Sequence, residues 1–364
     1  MIKLKETVSY VETWTITGRK IIIGDKRADS FTLVKKKEHT IFKELIELLK
    51  QYQYENIEDI PSKYQSLAYG LQQRGYFEDG NVGVKLFNEY KSLSKEIYKK
   101  EFEYVETKEN ENILKNILYY LALVVVMILV SGNIEMDNLT ISLENAKVYD
   151  IIISIIFLPL VIVATHELGH YLLARYTGVT VSSITFCFVV VYPSVYLSYR
   201  GINLCKTRNK IMIISGGVFA HLVGALLGIV LVNIGYDSLF LKLWVLSNIS
   251  MIYANILPLA ASDGYFILSS IIGVFNLRMK GYRAINSLMH RNRKNVTMTD
   301  LVCGIALMGL WIFSFYGLHN FFRMIVNVFG ISKFIMNTSY ILICILLMLR
   351  FVIKIYQMKF TVKT

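Results

Sequence analysis

The sequence predicts a mainly α-helical, polytopic membrane bundle of about six spans, with a membrane-embedded β-hairpin and a small N-terminal α+β winged-helix-like cytoplasmic domain. Three observations carry that prediction. The 364 residues are 54% hydrophobic and only 18% charged, below the quarter usual for soluble domains. Six apolar stretches approach the roughly 20 residues that a helix needs to cross a bilayer. Charge is also uneven: residues 1–115 hold 20 Lys/Arg against 19 Asp/Glu, while the remainder holds 19 against 8. Nearly all of the +12 net charge therefore lies on the apolar part, where loops beside anionic lipid headgroups would carry it, and nucleic acid is a poor explanation for it.

The first third reads as a compact polar unit over residues 1–85. Alternation in Tyr10–Thr17, Lys20–Gly24 and Ser30–Val34 predicts short strands, and Ile41–Tyr52 predicts a helix with Phe42, Leu45, Leu48 and Leu49 on one face. A second helix is expected over Ser62–Arg74, ended by Gly75 and followed by a closing strand at Tyr76–Phe77. That order of elements is the order of a small winged helix. Residues 86–112 are expected to be a charged helical linker, and residues 113–364 a transmembrane domain. The N-terminal stretch MIKLKETVSY has no apolar run, so no cleavable signal peptide is expected there. Cys187, Cys205, Cys303 and Cys344 show no CxxC or short pairing, so neither a disulfide framework nor a thiolate metal site is expected.

The expected spans are Ile113–Ser131, Ile151–Tyr176, Ile211–Asn233, Leu239–Leu259, Asp300–Phe322 and Ile331–Tyr356. The loop at 132–150 is acidic, with Glu135, Asp137, Glu144 and Asp150, and reads as extracytoplasmic. Basic loops holding Arg200, Lys206, Arg208 and Lys210, and later Arg278 to Lys294, read as cytoplasmic, as do both termini. Between the second and third spans, Val179–Tyr199 is rich in β-branched and aromatic residues and holds Pro193, which predicts a hairpin. Open strands cannot face lipid, so the hairpin is expected against protein or water, with an edge able to receive an extended peptide.

The second span contains VATHELGHYLLARYTG. His166 and His170 are four apart, which sets both imidazoles on one helix face, with Glu167 beside them. Zinc hydrolysis asks for this spacing: two imidazoles hold the ion, and a neighbouring carboxylate moves the proton of a water whose pKa zinc has lowered. Two histidines and a glutamate in an apolar span each cost several kcal/mol unless paired or metal-bound. The bland alternative is a pair of helix-packing histidines bonded to a buried Glu. A catalytic zinc needs a third ligand, and Asp263 in NILPLAASDGY, at the cytoplasmic end of the fourth span, is the candidate; its bland reading is a carboxylate in an ordinary turn.

HELGH in a span, followed about ninety residues later by Asn255, Pro258, Asp263 and Gly264, resembles the site-2 protease family of intramembrane zinc metalloproteases. The stretch IIGVFNLRMKGYRA and the pattern around Asp263 look most like the bacterial peptide zinc metalloprotease branch. The resemblance covers roughly residues 150–285 and implies His166, His170 and Asp263 as zinc ligands, Glu167 as general acid/base and Asn255 as a polar group near the scissile carbonyl. The N-terminal unit is similar, in element order alone, to the PqqD-like winged helices that hold leader peptides in ribosomal-peptide biosynthesis.

Where the family carries Ala-Gly-Pro and an Asn in the third span, this chain reads Gly216, Gly217, Val218, Phe219, Ala220, His221. Three readings of His221 stay open: a catalytic donor to a substrate carbonyl or oxyanion, a fourth metal ligand, or a packed histidine bonded across helices. Gly216, Gly217, Gly224 and Gly228 most simply permit close helix approach. The expected activity is hydrolysis of a small peptide precursor or a single-span membrane substrate in bacterial peptide maturation. The rivals are a non-hydrolytic membrane protein that grips a peptide for export or immunity, and a metal transporter, which would distribute more polar residues through its spans.

Overall fold

The computed structural model describes residues 2–78, 94–103, 105, 112–133, 139, 148–189, 192–236, 238–256, 262–289, 296–329 and 332–357. The chain forms two compact units, Met1–Ile113 with His170–Ile213, and Leu114–Gly169 with Ile214–Thr364. Among the described residues it is mainly helical, with two three-stranded sheets.

The first unit opens with an antiparallel meander of β1 (Val8–Thr15), β2 (Gly18–Asp25) and β3 (Ser30–Leu33), followed by α1 (His39–Gln51) and α2 (Ser62–Gln72). Central strand β2 carries Ile21, Ile22 and Ile23 in succession, and a run without alternation is what a strand covered on both faces needs. Ile21 and Ile23 join Phe42, Leu45 and Ile46 of α1 and Ala68 and Leu71 of α2 in one core. Ile22 faces the other way with its cross-strand neighbour Val11, and the 3-10 turn Ile202–Leu204 packs on these two strands. Leu48 and Leu49 pack at the margin of the core. The expected closing strand at Tyr76–Phe77 is a single bridge between Leu4 and Phe77.

The second sheet corrects the linker. The charged stretch expected as a helix within 86–112 holds β4 (Ser94–Glu101), which pairs antiparallel with β5 (Thr180–Val189), itself paired with β6 (Tyr192–Arg200). The antiparallel pairing of the two hairpin strands is as expected, and β4 occupies one edge of the pair. Lys and Glu favour helix locally, but the N–H and C=O groups along the β5 edge offer a ladder, interrupted only by an irregularity between Glu96 and Tyr98, and tertiary pairing overrides so weak a preference. Tyr98 and Phe186 meet across β4 and β5 with ring centroids 6.2 Å apart. After β6, α5 (Thr207–Ile214) is tied to β1 by the Thr13 and Thr207 hydroxyls at 2.7 Å, and Gly201 N–H donates to Asp29 Oδ1 at 3.1 Å.

The second unit holds α3 (Ile113–Asn133), α4 (Val148–Thr177, which continues into the first unit at His170), α6 (Gly216–Asn233), α7 (Leu239–Ile256), α8 (Asp263–Ile272), α9 (Leu277–Met289), α10 (Met298–Phe329) and α11 (Lys333–Gln357). Among the described residues, five segments are long and apolar enough to cross a membrane: Ile113–Asn133, Asp150–Thr177, Gly216–Asn233, Met298–Asn320 and Met336–Ile353. The sixth expected span, Leu239–Leu259, is not among them; its described part is α7, and residues 257–261 lie outside the described set. The third begins at Gly216 rather than Ile211, because the chain breaks at Ser215 and Ile211–Ile214 belong to α5. Packing among α3, α6 and α7 centres on Val130, Leu222, Ala225, Ile229, Val245, Leu246 and Ile249. Of the acidic residues expected outside the cytoplasm, Asp150 is in the first turn of α4, whereas Glu135, Asp137 and Glu144 lie outside the described residues, as do 290–295 of the second basic stretch and 358–364.

Burial pushes the Asp29 carboxyl up from an ordinary 3.8 to about 6, against the opposite pull of the Gly201 N–H and Arg200. A folded pKa above the unfolded one contributes stability that is whole below pH 3.8 and is lost as pH rises through about 6, a difference of about 3 kcal/mol. Resistance of the first unit to proteolysis is therefore expected to fall between about pH 4 and pH 7, and Asp29→Asn is expected to flatten that dependence.

Candidate metal centre

Helix α4 carries the HELGH stretch. Its 3.6-residue period brings His166 and His170 to one face, and Pro159, inside the same helix, lies about two turns earlier. Asp263 is the first residue of α8, directly after Ser262 in extended conformation. His166, His170 and Asp263 each offer one ligand atom, and the three atoms lie within 4.8 Å of one another. His166 Nε2 and Asp263 Oδ2 are 3.6 Å apart, with the two side chains 12% and 13% exposed. His170 is buried, and its Nδ1 lies 2.8 Å from the carbonyl oxygen of Ile213. A carbonyl only accepts, so His170 Nδ1–H donates and the lone pair is on Nε2.

The triad has the donor set and spacing to hold a metal ion. Two imidazoles and a carboxylate are a three-ligand set that leaves one coordination position open. Tetrahedral ligands at about 2.0–2.1 Å from zinc stand about 3.4 Å from one another, close to the separation of His166 and Asp263. The same pair is also within the reach of an ordinary ion pair if His166 is protonated, so the third donor, His170, is what distinguishes a metal cradle from a salt bridge.

Glycine makes the approach possible. A Cβ on Gly217 would lie 2.2 Å from His166 Cε1, and one on Gly169 would lie 2.2 Å from the carbonyl oxygen of Gly216. The imidazole of His166 thus occupies the space that any other residue at 217 would fill. Gly224 and Gly228 likewise admit Asn248 and Val245 of α7. The glycines of α6 serve close helix approach, as their spacing predicts.

His221 is fully buried, and its ring stacks on that of His166 with centroids 5.0 Å apart. Its Nε2 lies 3.0 Å from His166 Nδ1, and its Nδ1 lies 3.0 Å from Asn248 Oδ1. Glu167 is half-buried on α4 beside His166. Asn255 sits in the last turn of α7, and its Nδ2 is buried with no hydrogen-bond partner among the described residues. Pro258 lies outside the described residues. Asn248, fully buried in α7, is not singled out in the sequence; an amide seven residues before Asn255 in a largely apolar helix was the available signal.

Comparison with protein-family models, with curated proteins and with solved structures returns no match.

Gly217→Ala is expected to push the His166 ring out of place and weaken metal binding by about tenfold or more, read by zinc competition against a chelator. Gly309→Ala is the control, since a Cβ there meets nothing within 4 Å; it is expected to leave binding unchanged.

Proposed function

We propose that this chain is a multi-pass membrane zinc endopeptidase of the site-2 protease type, acting on a small peptide precursor or a membrane-anchored peptide in bacterial peptide maturation. The observation that carries the reading is the meeting of HELGH on α4 with Asp263 from a distant segment, which gives two imidazoles and a carboxylate within 4.8 Å. Zinc, when bound there, supplies a Lewis acid for the scissile carbonyl and brings the pKa of water towards 7.

The chain's own residues supply the rest. Glu167 takes a proton from the attacking water and hands it to the leaving amine. Asn255 Nδ2, buried without an acceptor among the described residues, donates to the carbonyl of the peptide. The substrate lies extended, because helical hydrogen bonds hide peptide carbonyls, and a strand edge of the β4–β5–β6 sheet is the surface that accepts an extended chain. The bilayer surrounds the apolar helices, both termini are cytoplasmic, and the N-terminal unit holds the substrate or a partner on that side.

The test compares wild type with Glu167→Gln, purified in detergent and offered peptides encoded beside this chain. Both are expected to hold one zinc, and the variant to lose cleavage by about 10²- to 10⁴-fold, the usual worth of a general acid/base. Cleavage by the variant at the wild-type rate would refute the role of Glu167. Zinc without cleavage in either would favour the non-hydrolytic peptide-binding reading, and absence of zinc from both would end the metalloprotease reading.

A further inference from the structure

A chain of buried polar groups leads from a backbone carbonyl to the first histidine of the triad. Trp244 C=O accepts from Asn248 Nδ2 at 2.9 Å. That bond turns the amide so that Asn248 Oδ1 faces His221 Nδ1 at 3.0 Å. An amide oxygen only accepts, so the proton is on His221 Nδ1. In the neutral imidazole the other nitrogen is then an acceptor, and His221 Nε2 lies 3.0 Å from His166 Nδ1, which donates to it. The proton of His166 is thereby held on Nδ1, and its lone pair on Nε2, the atom 3.6 Å from Asp263.

The opposite tautomer of His221 would set a lone pair against the Asn248 oxygen and an N–H against His166. Both His221 and Asn248 are fully buried, where no water relieves such a mismatch. His170 reaches the same state by a different route, through the carbonyl of Ile213. Two unrelated acceptors thus turn both Nε2 lone pairs to the metal position. Outer hydrogen bonds that set the tautomer and orientation of a ligating histidine commonly govern metal affinity.

We infer that His221 and Asn248 are positioning residues that lock His166 in its metal-binding tautomer. The inference rests on the zinc reading above, and it gives His221 neither a ligand's nor a substrate donor's part, because both its ring nitrogens are engaged. Gly224 belongs to the same device, since a Cβ there would lie 2.9 Å from Asn248 Oδ1.

The test is zinc affinity of the full-length protein in detergent, measured against a chelator for wild type, His221→Phe, His221→Gln, Asn248→Ala, Asn248→Asp and His170→Ala. His221→Phe and Asn248→Ala are expected to weaken zinc about 10- to 100-fold while keeping one site. His221→Gln and Asn248→Asp, which keep an oxygen facing the ring nitrogen, are expected to restore most of that affinity. Wild-type affinity in His221→Phe would overturn the inference. So would loss of the site in His221→Phe as complete as in His170→Ala, which would make His221 a ligand, or equal losses in Asn248→Ala and Asn248→Asp, which would leave only space-filling. Nitrogen-15 spectra of the metal-free protein labelled at histidine decide the tautomer without zinc: Nδ1–H on His166 in wild type is expected, and Nε2–H would overturn the inference. Failure of wild type to bind zinc would refute the function proposed above, while the spectra would still decide the tautomer.

Discussion

The imidazole of His166 occupies the space where a side chain at position 217 would be, and the candidate site follows from that exchange. A helix pair that carried Cβ atoms at Gly217 and opposite the Gly216 carbonyl would stand too far apart for His166 to reach His221. In a membrane interior, helices gain little from burying apolar surface against one another, since lipid tails are equally apolar. Small residues and buried hydrogen bonds decide which helices touch, and this chain uses both at one place. The stack of His166 on His221, the amide of Asn248 and the carbonyl of Trp244 join α4, α6 and α7 through polar atoms.

Burying so many polar groups among apolar helices has a physical cost, and the arrangement offsets it at His166, His221 and Asn248 by hydrogen-bonding each to the next. Such a network fixes orientation as well as energy. An imidazole free to flip offers a metal the wrong nitrogen half of the time, whereas one held by an acceptor-only partner does not. The same economy shows at His170, where a backbone carbonyl at the end of α5 does the work that His221 does for His166.

Much of this was legible in the sequence because it is written in local periods. Four-residue spacing of histidines needs only the pitch of a helix, and Asp263 was marked by its neighbours Asn255, Pro258 and Gly264. The outer strands of the meander and the two helices of the first unit followed from alternation and from Phe42 and Leu45, whereas β2 is a strand although its three isoleucines do not alternate, and the short closing element shrinks to a bridge. What escaped was non-local. Nothing within SKEIYKKE says that its partner lies at Thr180–Val189, so its Lys and Glu read as helix. Asn248 carries no local mark of its part, which appears only when α6 brings His221 beside it. The break at Ser215 that parts α5 from α6 was hidden inside a continuous apolar run.

The atoms around the metal position decide between the parts given to His166, His170, Asp263 and His221. Zinc X-ray absorption of the purified full-length protein measures them directly. Two imidazoles and further oxygen donors at about 2.0–2.1 Å, with no sulfur shell, are the predicted result. Three imidazoles would make His221 a ligand and undo the positioning role, while a sulfur shell at about 2.3 Å, or no bound zinc, would contradict the His166, His170 and Asp263 site itself.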